Sequence, residues 1–258
     1  KDRIPEGTIL LGFRGSITHG TYVDPENFRA VSDVDFQGIA IGPLDTYFGL
    51  KPTFEQLTYT TRDWDICVYE IRKMFRLLKD GNPNTFALLW LDPEFYAVRT
   101  ELGERIIANR QLFISKSLYR THLGYAHKEI TEITKLTLKG IQGKKTVGEQ
   151  GYDGKSAYHV VRLLRSVKEF LGDGHFRVWR EDAEELLEIK LAQWPLDHVK
   201  AEIERLMMET EIAFHESLLP EYPDHDRINT LLLEIMPDYW LPRLQGALAQ
   251  RQDSVHHL

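Results

Sequence analysis

The stretch at residues 10–41 reads LLGFRGSITHGTYVDPENFRAVSDVDFQGIAI, and the rest of the chain is organised around it. An apolar run leads into a Gly-Ser pair and a loop, and Asp33 and Asp35 then open a second apolar run. Side chains two positions apart in a strand point to the same face, so these carboxylates are predicted to lie side by side. Because like charges at that distance repel, the pattern predicts a cation between them.

Gly15 and Ser16 are predicted to form a turn that holds phosphate. They follow a strand-like apolar run, and a turn there exposes backbone N–H groups and a hydroxyl. Hard divalent ions such as Mg²⁺ bind carboxylate oxygens and usually bring phosphates with them. A Gly-Ser turn or an Asp-x-Asp alone is most often structural or solvated. Together and in this order, they indicate phosphoryl or nucleotidyl transfer.

The same segment resembles the signature of the DNA polymerase β nucleotidyltransferase superfamily, Gly-Ser followed by Asp-x-Asp. More narrowly, it is similar to the RlaP-like nucleotidyltransferases found beside RNA ligases. That narrower likeness rests on Gly15-Ser16, His19-Gly20-Thr21, Pro25, Ser32-Asp33-x-Asp35 and Gly38-Ile39.

One departure from the family pattern lies between its Thr-x-x-Pro portion and its Ser-Asp pair. The family has few residues there, whereas this chain carries residues 26–31, which predicts an inserted loop at the mouth of the site. Phe28 and Arg29 at its centre suit stacking on a base and hydrogen bonding to it. Pinning of the loop to the core by Phe28 is an equally compatible interpretation.

The resemblance also implies a third carboxylate on a neighbouring strand. Asp65 is the preferred candidate, since it stands at the head of the next apolar strand. Glu70 is the alternative, although a carboxylate at the start of a helix has a structural role there. The resemblance thus implies two Mg²⁺ ions, with Mn²⁺ as an alternative metal, bound by Asp33, Asp35 and Asp65.

A second candidate stretch is a helix predicted over residues 155–171, preceded by a glycine-rich loop at 140–154. Lys155, His159 and Arg162 fall at i, i+4 and i+7, on a face away from the apolar stripe. A solvated face would also explain this stripe. Residues 152–164 resemble the family's second signature, which implies that these three side chains face the triphosphate or the acceptor.

The predicted fold is α+β: a small mixed β-sheet domain of the polymerase β type over residues 1–112, then an α-helical domain over residues 113–258 that completes the site. Strands are predicted over residues 8–13, 33–41, 55–61 and 65–69. Helices are predicted over residues 70–80, 84–91, 101–109, 115–139, 155–171, 180–193, 196–219, 226–236 and 239–250.

The composition of the chain limits the classes of protein to which it can belong. The net charge of −7 argues against a broad, sequence-blind nucleic-acid surface, and a local basic groove stays compatible with it. Cys67 is the only cysteine, which excludes a disulfide framework within the chain. There is no secretory leader pattern and no apolar run of membrane-spanning length. A cytoplasmic protein with no membrane association is therefore expected.

The function predicted from these features is a Mg²⁺-dependent nucleotidyltransferase that moves NMP from an NTP to a hydroxyl acceptor and releases pyrophosphate. The family association suggests an RNA end as the acceptor. A protein or small-molecule acceptor is equally compatible with the acidic chain. A catalytically inactive nucleotide-binding sensor, or a partner-binding protein, is the alternative from another class. The base of the NTP and the oligomeric state stay open.

Overall fold

The structure is a computed structural model that describes residues 4–23, 34–50, 54–61, 64–139 and 152–255. Its five strands form one sheet in the order β3-β4-β2-β1-β5. β2 and β4 run parallel, and the other three neighbouring pairs are antiparallel, which confirms the predicted mixed sheet. The strands are β1 Thr8–Arg14, β2 Val34–Ala40, β3 Gln56–Thr60, β4 Trp64–Glu70 and β5 Tyr96–Arg99.

Helices make up most of the remaining described chain, as an α+β fold requires. They are α1 Asp45–Phe48, α2 Ile71–Lys79, α3 Glu101–Ala108, α4 Ser117–Lys139, α5 Gly154–Asp173, α6 Ala183–Lys190, α7 Leu196–Glu216 and α8 His225–Val255. Three short 3₁₀ helices lie at Phe86–Trp90, Pro93–Phe95 and Arg110–Phe113. Across the described residues, no helix combines the length and the apolar character that crossing a membrane requires.

The helix predicted from residue 70 shows how local pattern becomes structure. Its apolar residues recur at helical spacing and all four are buried on one face of α2: Ile71, Met74, Phe75 and Leu78. The Glu70 carboxylate caps the helix by accepting hydrogen bonds from the backbone N–H groups of Arg72 and Lys73. Gly81, with φ of +65°, follows the end of the helix.

Three of the differences from the prediction concern larger elements. The predicted helix at residues 84–91 is the 3₁₀ helix Phe86–Trp90, and the four-residue edge strand β5 was not predicted. The two closing helices are one helix, α8, with Pro237 and Pro242 inside it. Ile235 and Tyr239, on either side of Pro237, are both buried in the main core. Packing on both sides of the proline therefore holds the helix together where local propensity favours a break.

The main hydrophobic core takes residues from both sides of the predicted boundary at residue 112. Leu10 and Ile39 of the sheet share this core with Phe170 of α5 and Ile235 of α8. A second core lies among α5, α6 and α7. The division at residue 112 stays a prediction, and the shared core brings the sheet and α5 together around one cavity.

Candidate functional site

A cavity of about 250 Å³ lies where the end of β1, the start of β2 and the first half of α5 meet. Six of the eight residues predicted for the site line it: Gly15, Ser16, Asp35, Lys155, His159 and Arg162. Asp65 stands on β4 beside it, and Asp33 lies outside the described residues. So do the inserted residues 26–31, with Phe28 and Arg29, and the loop at 140–151. Two stretches far apart in sequence therefore meet at one site.

The turn at residues 15–21, called here the Gly15 turn, follows β1. The backbone N–H groups of Thr18 and His19 donate to the Gly15 carbonyl at 3.1 and 3.3 Å. Gly15 has φ of +73°, and a Cβ there would lie 2.9 Å from Asp35 Oδ2. Only glycine suits both the backbone conformation and this close approach. The predicted phosphate turn and the predicted metal carboxylate are therefore in contact.

Two of the predicted carboxylates lie side by side on the sheet. Asp35 pairs with Asp65 across parallel strands and with Arg14 across antiparallel strands, so the three side chains share one face. Arg14 Nη2 lies 3.2 Å from Asp65 Oδ2, and the Thr60 hydroxyl donates to Asp65 Oδ1 at 3.1 Å. Arg14 is thus the counter-ion of the Asp65 carboxylate.

Glu70, the alternative third carboxylate, lies at the opposite end of β4 from Asp65. In addition to capping α2, it accepts a hydrogen bond from the Tyr47 hydroxyl at 3.0 Å and pairs with Arg72 at 3.2 Å. It does not line the cavity. Its hydrogen bonds serve the packing of α1 and α2 onto the sheet.

The described residues include two of the three carboxylates predicted to bind Mg²⁺. No group of three His, Cys, Asp or Glu side chains among them is arranged to hold a metal ion. Asp35 and Asp65 offer the hard oxygen donors that Mg²⁺ prefers, and they share one face of the sheet. The chemistry of these two carboxylates suits a divalent ion, with Asp33 as the further predicted ligand.

The opposite wall of the cavity is cationic. The Asp153 carboxylate caps α5 by accepting from the N–H groups of Lys155 and Ser156, which starts the helix beside the Gly15 turn. One helical face then presents Lys155, His159 and Arg162 to the cavity. The predicted polar stripe is thus a cavity wall, whereas the alternative was a solvated face.

Arg162 differs from the other buried arginines near α5. Arg165 pairs with Asp182 at 2.8 Å, and Arg180 pairs with Glu169 at 2.7 Å. Arg162 Nε is buried and donates no hydrogen bond within the described part of the chain. Burial, with the positive charge of Arg180, lowers the pKa of Arg162. A guanidinium that faces a cavity with its Nε unbonded favours an anionic ligand there.

Two histidines in the cavity wall are neutral at physiological pH. Burial, with the charges of Arg162, Lys155 and Lys190, lowers the pKa of His159 to about 3. Burial and Arg162 also lower the pKa of His19 well below its usual value. His19 Nδ1 lies 3.0 Å from the Val178 carbonyl oxygen, so this nitrogen carries the proton. The positive charge of this wall thus comes from lysine and arginine.

Lys190, at the end of α6, is a charged cavity residue that sequence reasoning missed. Its Nζ donates to the Thr21 carbonyl at 2.8 Å and lies 5.6 Å from the centroid of the Tyr158 ring. A lysine in the last turn of a helix already has a structural explanation through the helix dipole. Its place in the cavity depends on how α6 packs against α5, for which the sequence carries no local signal.

Comparison with known proteins identifies the family of the chain. The profile of a family described as "RlaP: RNA repair pathway DNA polymerase beta family" matches residues 14–234. A search of curated proteins finds no match. The solved structures that match include a nucleotidyltransferase-like protein from Exiguobacterium sibiricum 255-15. That likeness has 11% identity and a TM-score of 0.31, over 90% of this chain and 75% of the other.

Proposed function

Since the chain belongs to the RNA repair pathway DNA polymerase beta family (RlaP), we propose that it transfers NMP from an NTP to a hydroxyl acceptor. The observation that carries this proposal is the polarity of the cavity. Asp35 lies against the Gly15 turn on one wall, and Lys155 and Arg162 lie on the other. Carboxylates at one end and cations at the other suit a metal-bound triphosphate.

Different residues of the cavity have different roles in the proposed reaction. The Gly15 turn holds phosphate oxygens through the Ser16 hydroxyl and the N–H groups at its start, because the N–H groups of residues 18–21 donate within the turn. The acceptor oxygen bonds to the α-phosphorus, the bond to the bridging oxygen breaks, and pyrophosphate leaves toward Lys155 and Arg162. These cations stabilise the charge that develops on the leaving group. Asp65 takes the proton of the acceptor hydroxyl, as a general base.

Mg²⁺, or Mn²⁺ in its place, is the proposed cofactor. Asp35 and Asp65 would hold it together with Asp33, and it would neutralise phosphate charge and orient the triphosphate. Arg14, which pairs with Asp65 at 3.2 Å, has to release that carboxylate for the ion to use it. The cavity residues of α5 then need only bind and orient the phosphates.

For the acceptor, we propose an RNA 3′ end, on the strength of the family's place in RNA repair. The net charge of −7 means that RNA would be held locally, near the cavity, rather than over a broad basic surface. A protein or small-molecule hydroxyl is the second acceptor class. A nucleotide-binding protein without turnover is the non-enzymatic alternative, and the presence of both Asp35 and Asp65 counts against it.

The test follows the α-phosphate. Each α-³²P-labelled NTP is incubated with Mg²⁺ and a short RNA that ends in a 3′ hydroxyl, and label on the RNA and released pyrophosphate are measured together. The proposal predicts both, and neither without a divalent metal. Label on protein or small molecules instead would change the acceptor. If the protein binds NTP but releases no pyrophosphate with any of the acceptors tested, the binding-protein alternative is correct.

A further inference from the structure

Lys190 lies where the two halves of the site meet. Only 9% of this lysine is exposed, which is unusual for a side chain whose charge normally keeps it at the surface. It lines the cavity beside Lys155, His159 and Arg162. A Cβ on Gly154 would lie 2.4 Å from the Lys190 carbonyl oxygen, so the end of α6 is pressed against the start of α5. Packing therefore fixes the backbone from which the Lys190 side chain reaches the cavity.

The Gly15 turn is fixed to the helical half by three hydrogen bonds. His19 Nδ1 donates to the Val178 carbonyl at 3.0 Å, and the hydroxyls of Thr21 and Tyr158 bond at 2.8 Å. The third bond is from Lys190 Nζ to the Thr21 carbonyl, also at 2.8 Å. Lys190 is the member of this set that carries a positive charge. The same ammonium therefore holds the Gly15 turn and adds positive charge to the cavity.

We propose that Lys190 is a further residue of the nucleotide site: its ammonium binds the terminal phosphates of the NTP and the leaving pyrophosphate, and through the Thr21 carbonyl it positions the Gly15 turn. This inference rests on the proposed function. An ammonium has three N–H donors, so it can bond the carbonyl and a phosphate oxygen together. Lys155 and Lys190 face the same space, and two cations there repel unless an anion lies between them.

The charge distribution along the cavity assigns Lys190 to the terminal phosphates. Asp35 and Gly15 lie at the end of the cavity formed by the sheet, where the carboxylates would hold a metal near the α-phosphate. Lys155, Arg162 and Lys190 stand at the helical end. A triphosphate that spans the cavity therefore has its reacting phosphate at the sheet and its leaving pyrophosphate among the three cations.

The test uses inorganic pyrophosphate as the probe, titrated into the full chain by calorimetry. Lys190→Met removes the charge at similar length, and we expect pyrophosphate to bind about 10- to 100-fold more weakly. Lys168→Met is the matched control. Lys168 is a lysine of α5 that pairs with Glu209 at 2.9 Å and does not line the cavity. The Lys168→Met variant should therefore bind pyrophosphate with unchanged affinity.

Lys190→Arg separates charge from packing. A guanidinium keeps the cation, so this variant should bind pyrophosphate within a few-fold of the wild type. Equal affinity in the wild type and Lys190→Met overturns the inference, as does an equal loss in Lys190→Met and Lys190→Arg when both show native circular dichroism. A wild-type chain that binds no pyrophosphate and transfers no nucleotide refutes the proposed function instead. Wild-type turnover with an unaffected Lys190→Met variant refutes only the role of Lys190.

Discussion

At the scale of single residues, Asp35 is the side chain on which the proposed chemistry depends most directly. It contacts the Gly15 turn and stands between Arg14 and Asp65 on the sheet. We expect Asp35→Asn to lower nucleotide transfer by more than about 100-fold, since even outer-shell partners of a metal site cost about 10- to 100-fold. The melting temperature should stay the same or rise, because the substitution removes repulsion from Asp65.

Turnover and thermal unfolding of Asp35→Asn are measured side by side, with and without Mg²⁺. Asp197→Asn is the control, since its side chain is fully exposed and far from the cavity lining. Full activity in Asp35→Asn would contradict the proposed metal site. A large loss of stability would instead assign Asp35 a structural role.

Buried histidines predict how stability depends on pH. Burial lowers the pKa of His122 to about 3, and that of His159 to about 3. The unfolded chain therefore binds protons below about pH 6.5 that the folded chain does not. The free energy of unfolding should fall as pH drops from 6.5 toward 3, by about 1.4 kcal/mol per pH unit for each such group.

Urea unfolding at a series of pH values between 7 and 4 measures this slope. His122→Gln should reduce it by the contribution of one proton, whereas His225→Gln, at an exposed position, should leave it as in the wild type. An unchanged slope in His122→Gln would show that His122 is not the group that resists protonation.

Lys190 predicts a pH dependence of ligand binding. Burial and the charge of Lys155 lower the pKa of Lys190 to about 8. The groups that face it are Lys155, His159 and the Tyr158 ring of α5, and the Thr21 carbonyl. An anion favours the protonated ammonium, so pyrophosphate affinity in the wild type should fall as pH rises through 8. Lys190→Arg, which stays protonated, should lack this component of the fall; identical pH profiles would contradict the assignment.

At the scale of elements, the Gly15 turn shows what one backbone conformation contributes to the site. Gly15→Ala places a Cβ at positive φ, 2.9 Å from Asp35 Oδ2. We expect it to cost about 1–2 kcal/mol of stability and to displace the carboxylate, so that activity falls further than stability does. Thermal unfolding and turnover measure the two effects.

Gly124→Ala is the matched control for that substitution. Gly124 lies in the exposed middle of α4, and a Cβ there meets no atom within 4 Å. Alanine at this helical position should stabilise the protein by about 0.5–1 kcal/mol without changing activity. Equal effects of the two substitutions would show that the turn at Gly15 has no special conformational requirement.

Element types were predicted well wherever a periodic pattern was long. The spacing of apolar residues predicted α2 and α5, and strands were also predicted at β1, β2 and the pair β3 and β4. The misses were of another kind. β5 is an edge strand of four residues that exists through its pairing with β1, and α8 continues through Pro237 because the core holds both sides of it. Neither cause is visible in a local window of sequence.

At the scale of the whole molecule, α8 secures the sheet half of the protein. Ile235 is fully buried in the core that also contains Leu10 and Ile39, and Arg105 of α3 pairs with Glu234 and Asp238 at 2.6 Å. We expect Ile235→Ala to lower the free energy of unfolding by about 2–5 kcal/mol.

Because the core is shared, that loss should appear throughout the molecule. Hydrogen exchange followed by mass spectrometry should show faster exchange in β1 and β2 as well as in α8. Leu233→Ala is the control on the same helix, since Leu233 is 62% exposed, and it should change stability by no more than about 0.5 kcal/mol. Faster exchange confined to α8 would mean that the C-terminal helix unfolds independently of the sheet.

The sequence by itself determined the parts of the site that lie close together along the chain. Residue type predicts the Gly-Ser turn, and local period predicts the strand that carries Asp35 and the stripe of Lys155, His159 and Arg162, because strand and helix geometry fix which neighbours share a face. Those patterns, with the family resemblance, predicted six residues that line the cavity.

Only the tertiary structure decided how those parts act on one another. It pairs Arg14 with Asp65, leaves Arg162 Nε without an acceptor among the described residues, and brings Lys190 of α6 to the Thr21 carbonyl. It also shows that Glu70 caps α2. The physical reason is that burial and ion pairing depend on contacts between residues distant in sequence, which hydrophobic packing of the whole chain creates and no local period encodes.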